Sequence, residues 1–242
     1  MNTLIIIPSR LSASRLPGKP LLKIRGLSII SHVFKKAEKA NIGEVVVAAE
    51  DQDIIDDVKK NGGNAILTSK DHKTGTDRIY EAYSLLNKKN IDFIINVQGD
   101  EPDIDIEDIC LLNKKMNTNN SQIGTLAAKI EDPAIYNNQN IVKVLTERSF
   151  EEKSFPLAET FVRKIENGTN IFHHIGIYCY NVETLKKFVS LKQSKNEIKN
   201  RLEQLRALDN NININVAFAR SSPIGIDTKE EYLALKKIME YK

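Results

Sequence analysis

Leu4-Ile-Ile-Ile7 is a continuous apolar run stopped by Pro8, and a long basic loop follows it. The run is too short to span a bilayer, which takes about 18 apolar residues or more, and no basic stretch precedes it as in a secretion signal. It reads as a strand buried on both faces, the kind that sits inside a parallel sheet. Such a sheet needs helices on both sides, so the rest of the chain must supply them.

The first half does. Ile30, Val33, Phe34 and Ala37 recur at i, i+3, i+4 and i+7, one face of a helix. Residues 44–49 (EVVVAA) form a second strand and residues 53–60 a short helix stopped by Gly62-Gly63. Residues 65–67 are a third strand, Ile79, Tyr80, Tyr83 and Leu86 mark a helix face, and residues 93–97 are a fourth strand. This alternation predicts an α/β fold, a mostly parallel sheet sandwiched by helices.

The second half is less regular. Strands are expected over residues 125–130, 142–145 and 173–180, with a short helix through Leu185, Phe188 and Val189. Ile198, Leu202, Leu205 and Leu208 suggest one longer helix. Ile212, Ile214, Val216 and Phe218 alternate as a strand does. A helix from Lys229 closes the chain, with Thr228 and Glu231 spaced as a capping box. Residues 117–120 have loop composition. Residues 149–170 have no clean period and read as a loop-rich excursion where a smaller lobe begins.

Composition excludes several classes. The 242 residues carry 35 Lys and Arg against 32 Asp and Glu, a net charge of +3, which excludes a strongly basic nucleic-acid binder. Cys110 and Cys179 lie far apart with no C-x-x-C, which disfavours a disulfide scaffold or a cysteine zinc site. With no membrane-spanning run and no secretion signal, a cytoplasmic location is expected.

Three segments can carry chemistry. PSRLSASRLPGKP, residues 8–20, leaves the first strand at the carboxyl edge, where open α/β sheets bind ligands. Pro8 and Ser9 open it. Arg10, Arg15 and Lys19, three serines and no acid make it suited to a polyphosphate. It is neither a Walker A loop nor G-x-G-x-x-G, and a plain solvated basic loop has the same composition. NVQGDEP, residues 96–102, puts Asp100 at the end of another buried strand, where it can hold Mg²⁺ beside phosphates or cap a helix. PIGIDT, residues 223–228, offers Asp227 as a second carboxylate or as a capping contact beside Thr228.

These segments, with TSKDHKTGTDR (68–78), HHIGIYCY (173–180), LEQLRAL (202–208) and PIGIDTKEEY (223–232), occur in order over nearly the full chain. The ordered set closely resembles the 3-deoxy-manno-octulosonate (Kdo) cytidylyltransferases. The resemblance implies a single nucleotidyltransferase domain over residues 1–242, nucleotide-diphospho-sugar transferase-like. A small projecting dimerisation lobe is expected within about residues 125–215, giving a homodimer. It implies transfer of CMP from CTP to Kdo with Mg²⁺ and release of pyrophosphate, for lipopolysaccharide biosynthesis. Arg10 and Lys19 match triphosphate positions, Thr76 and Arg78 a segment near the nucleotide, and Asp100 and Asp227 the metal carboxylates. Arg15, Gln98, His174, Tyr178 and Glu203 match positions on the acid sugar.

Residues alone allow plainer roles. His174 and Tyr178 lie four apart on one strand face and fit as a hydrogen-bonded strand residue and a packing aromatic. Glu203 and Arg206 fit as an i, i+3 pair. The family's [YF]-F-[ST]-R segment is changed here to Phe161-Val162-Arg163-Lys164, without the proline that follows it. Arg163 keeps the arginine and is implied as partner of the sugar carboxylate. The altered segment leaves room for a related acid sugar, an 8-amino analogue or sialic acid. A non-enzymatic CTP-binding regulator is the alternative of another class, disfavoured by the intact Asp100 and Asp227.

Overall fold

The computed structural model describes residues 1–242 apart from 13, 14, 152, 153, 167, 221, 224 and 242. Ser14 of the basic loop and Ile224 of the PIGIDT segment therefore lie outside the described residues. The chain divides into two units, Met1–Ile109 with Pro223–Lys242, and Cys110–Ser222.

In the first unit the opening apolar run is β1 (Thr3–Ser9), which continues through Pro8. A single 3₁₀ turn (Lys19–Leu21) and a small hairpin of β2 (Lys23–Ile24) and β3 (Leu27–Ser28) follow. α1 (Ile29–Lys39) is capped by Ser28, whose side chain accepts from the Ser31 N–H, and buries Ile30, Val33, Phe34 and Ala37 as expected. β4 (Gly43–Ala49), α2 (Gln52–Lys60), β5 (Ala65–Leu67), α3 (Gly75–Leu86) and β6 (Phe93–Asn96) complete the alternation. β1 pairs in parallel with β4 and with β6, and β4 with β5, giving the order β6-β1-β4-β5. Parallel pairing brings the carboxyl ends of all four strands to one edge.

Two expectations need correction here. The buried face of α3 is Thr76, Arg78, Ile79 and Ala82, while Tyr80, Tyr83 and Leu86 are only half-buried. Arg78 is held inside by Glu50 and Thr68, which sets the rotation of the helix. Residues 117–119 are not loop but the last turn of α4 (Ile106–Asn119), whose boundary residues Ile109 and Cys110 separate the two units. The side chains of Asn117 and Asn119 donate back to the carbonyls of Asn113 and Lys115, so these asparagines continue the helix.

The second unit holds β7 (Ile123–Ala128), β8 (Lys143–Thr146), β9 (Ala158–Val162), β10 (Ile171–Asn181) and α5 (Val182–Ser190). α6 (Lys195–Asn200), α7 (Leu205–Asp209) and β11 (Ile214–Phe218) follow. β7 lies between β10, antiparallel, and β11, parallel; β8 pairs antiparallel with β10 and β9. The expected loop-rich excursion thus contains β9, while residues 152, 153 and 167 within it lie outside the description. The single helix expected through residues 198–208 is two, because Arg201 takes a left-handed conformation (φ 54°) that ends α6. α8 (Lys229–Tyr241) returns to the first unit, with Leu235 in one buried cluster with Ile24, Ile29 and Ile226. Among the described residues no helix is long and apolar enough to cross a membrane.

One close approach fixes the register of β1 on β4. Gly43 faces Thr3, and a Cβ on it would lie 1.8 Å from the Thr3 carbonyl oxygen. A backbone oxygen has no rotamer to retreat into. Gly43→Ala is therefore expected to destabilise the protein by about 3 kcal/mol or more, read as a lower urea midpoint. An unchanged midpoint would mean that the two strands can slide apart freely.

Candidate active site

The carboxyl ends of β1 and β6 open onto a cleft of about 340 Å³. Pro8 and Ser9 line it from the end of β1, Arg10, Arg15 and Lys19 from the loop and 3₁₀ turn that follow, and Gln98, Gly99 and Asp100 from the loop after β6. Asp227 enters from the segment before α8, and Thr74, Gly75 and Arg78 from the start of α3. Thr76 is turned into the core instead. The end of β1 and the loop after β6 touch so closely that a Cβ on Gly99 would meet the Pro8 carbonyl oxygen at 2.9 Å.

Lys19 is the centre of the site. It is 8% exposed, and its ammonium donates to Asp100 Oδ2 (2.7 Å), the Ile226 carbonyl (2.5 Å) and Asp227 Oδ1 (3.3 Å). The other oxygen of Asp227 receives Arg15 at 2.8 Å. Implied on phosphate and on the acid sugar respectively, Lys19 and Arg15 here neutralise the two carboxylates, and all three ammonium protons are engaged. Arg10 stays exposed beside them.

This donor set fits a hard divalent cation. Asp100 and Asp227 stand on either side of the Lys19 ammonium, and their carboxylates are the hard oxygen donors that Mg²⁺ prefers while keeping several waters or phosphates. Among the described residues no group of three His, Cys, Asp or Glu stands ready to hold a metal, so such an ion would complete its shell from substrate. Glu101 adds no third charge. Its burial first, then Asp100 and Asp227, push its carboxyl up to about 8 against the pull of Lys19.

Several residues that shape the cleft escaped sequence reasoning. Asp51 accepts from the Leu11 N–H (2.8 Å) and pins the basic loop. Glu50 pairs with buried Arg78, which also donates to Thr68 Oγ1 (2.6 Å) and the Ser69 carbonyl (3.1 Å). Both acids follow β4 at the carboxyl edge, the same signal that marked Asp100. Glu231 accepts from the backbone N–H groups of Asp227 (2.8 Å) and Thr228 (2.9 Å), so the capping box of α8 also holds Asp227 in place. His72 lines the cleft with its Nε2 on Glu81 at 2.5 Å.

The remaining predicted residues belong to the second unit. His174 and Tyr178 have ring centroids 5.5 Å apart. That is far closer than the roughly 13 Å spanned by four residues of regular strand, because β10 is irregular between Ile175 and Tyr178. Burial first, then His173, drives the His174 imidazole down to about 3, so it is neutral. Burial, then Tyr180 and Glu203, hold the Tyr178 phenol well above its usual range. Its hydroxyl is buried, and its side-chain contact with Thr125 pulls the phenol the other way. Glu203 pairs with Arg206 at 3.8 Å as the spacing predicted, although the main partner of Arg206 is Glu197. Arg163 donates to the carbonyls of Gln139, Asn200 and Arg201, each at 3.0 Å.

Comparison with known proteins agrees along the whole chain. Residues 4–214 match the cytidylyltransferase family model. The chain is 40% identical to the 3-deoxy-manno-octulosonate cytidylyltransferase of Afipia carboxidovorans over 239 residues, 98% of this chain and 97% of that one. It is 41% identical to the protein of the same name from Thermodesulfovibrio yellowstonii over 251 residues, 99% and 98% of the two chains. Among solved structures, CMP:2-keto-3-deoxy-manno-octonic acid synthetase complexed with CTP matches with a TM-score of 0.88 and 33% identity, over 100% of this chain and 99% of that one. 4-Diphosphocytidyl-2C-methyl-D-erythritol synthase from Anaerococcus prevotii, 12% identical with a TM-score of 0.64 over 99% and 98% of the two chains, shares the fold.

Proposed function

The chain belongs to the 3-deoxy-manno-octulosonate cytidylyltransferase family, and we propose that it transfers CMP from CTP to the 2-hydroxyl of Kdo, releasing pyrophosphate. The observation that carries this is the basic cleft in which Lys19, Asp100 and Asp227 meet. It supplies cations for a triphosphate and two carboxylates for one metal ion. The sugar oxygen bonds to the α-phosphorus, the bond from that phosphorus to the bridging oxygen of pyrophosphate breaks, and the hydroxyl gives up its proton.

Positioning and charge neutralisation do most of the work in such a transfer. Arg10 and Lys19 take the charge that gathers on departing pyrophosphate. Arg15 and Gln98 of the cleft, and His174, Tyr178 and Glu203 of the second unit, are assigned to the acid sugar. Asp100 and Asp227 would hold Mg²⁺, which when bound would supply Lewis-acid polarisation of phosphate oxygen. The same reading carries a single functional domain over residues 1–242, a homodimer formed through the lobe within about residues 125–215, and a cytoplasmic role in lipopolysaccharide biosynthesis.

The test is pyrophosphate release with CTP, Mg²⁺ and Kdo, beside UTP, ATP and sialic acid controls. Release that requires both CTP and Kdo is expected. Release with sialic acid in place of Kdo would overturn the sugar assignment. A related acid sugar is the second reading, favoured by Arg163, whose guanidinium already serves three carbonyls. An 8-amino analogue turned over faster than Kdo would establish it.

A further inference from the structure

The irregular stretch of β10 leaves the Ile175 and Ile177 carbonyls facing one side chain of β7, Thr125. Thr125 is fully buried. Its Oγ1 lies 2.7 Å from the Ile177 oxygen, 3.2 Å from the Ile175 oxygen and 3.0 Å from His174 Nε2. With the Tyr178 hydroxyl, which can donate to the second lone pair, four neighbours compete for a hydroxyl with one proton and two lone pairs.

The shortest contact decides the proton's place. Two oxygens 2.7 Å apart repel unless a proton lies between them, and a carbonyl has none to give. The Thr125 proton therefore points at the Ile177 oxygen, and Oγ1 meets His174 with a lone pair. The 3.0 Å contact is then a hydrogen bond only if His174 carries its proton on Nε2. A neutral imidazole has just one such proton, and His174 is held neutral by its burial and by His173. Nδ1 is left as a bare acceptor.

We infer that Thr125 is a positioning residue that locks His174 in the Nε2–H tautomer, so that Nδ1 accepts a hydroxyl of the acid sugar. The role in sugar binding rests on the function proposed above; the tautomer rests on Thr125, Ile177 and His174 alone. A threonine that only filled the space left by β10 would leave the imidazole free to choose either form.

The test uses the full chain with ¹⁵N-labelled histidine, in which four histidines are resolved by two-bond proton–nitrogen NMR. The wild-type protein is expected to show His174 protonated on Nε2. A wild-type spectrum with the proton on Nδ1 overturns the inference, whatever any variant does. In Thr125→Val the proton is expected to leave Nε2 in part or wholly, and KM for Kdo to rise about tenfold, the scale of one hydrogen bond, with KM for CTP unchanged. Thr125→Ser, which keeps the hydroxyl, is expected to restore both. An unchanged tautomer in Thr125→Val, or a changed one with no effect on KM for Kdo, overturns the inference. Failure of the function reading looks different: the wild-type protein would release no pyrophosphate from CTP and Kdo, while the spectrum would still report the tautomer.

Discussion

Asp100→Asn is expected to lower Kdo-dependent pyrophosphate release by about 10²- to 10³-fold or more while leaving the fold intact. The amide keeps the shape and one acceptor oxygen, and Lys19 retains Asp227 and the Ile226 carbonyl. What disappears is one of the two carboxylates proposed to hold Mg²⁺. Steady-state release and thermal melting, run side by side, separate the two effects. Full activity in the variant would remove Asp100 from any role with a metal. A collapsed melting temperature would make it a structural residue.

The largest stability effect is expected in the second unit. Arg206 donates from Nε (2.8 Å) and an Nη (2.6 Å) to the two oxygens of Glu197, with both side chains almost wholly buried. Its guanidinium carbon also stands 4.7 Å from the centre of the Phe188 ring. Glu197 in addition closes the capping box of α6 with Ser194. Arg206→Met leaves a buried carboxylate without its cation and is expected to cost about 3–5 kcal/mol, measured by urea unfolding near neutral pH. A cost under about 1 kcal/mol would mean that solvent reaches Glu197.

The pH dependence of this pair carries a sign. Burial raises the Glu197 carboxyl, but its bonds with Arg206, Gln193 and Ser194 outweigh that and hold it below the usual range. Its contribution to stability is therefore complete above the ordinary carboxyl range and is lost as pH falls through the lowered value. In Arg206→Met the Gln193 and Ser194 bonds remain but the cation is gone, so the carboxyl rises relative to wild type and acid relieves the variant. The gap between wild type and variant should narrow on acidification.

Much of the first unit was legible because its signals are continuous: unbroken apolar runs for β1 and β4, and a clean helical period for α1. α4 was not, since among its apolar residues only Ile109, Leu112 and Met116 are fully buried and its asparagine-rich end imitates a loop. One left-handed residue, Arg201, leaves no mark on an apolar period, so two helices read as one. Across that break lies Glu197, the partner that hid from the i, i+3 reading of Arg206. The cleft was legible because a parallel sheet gathers its ligand-binding loops at one edge. The partners of Lys19 stand 81 and 208 residues further along the chain. Those of Arg163 are backbone carbonyls, which any residue supplies, so no pattern of side chains could announce them.

Ile226 and Asp227 belong to the first unit, yet they come from its returning segment, Pro223–Lys242. During synthesis the strands β1, β4, β5 and β6 leave the ribosome early and can pair at once. The second carboxylate, the carbonyl on Lys19 and the Ile226 and Leu235 members of the buried cluster are made after the whole of residues 110–222. A nascent chain thus carries Lys19 beside Asp100 but without Asp227, and the charge balance of the cleft is complete only after residues 110–222 have been made.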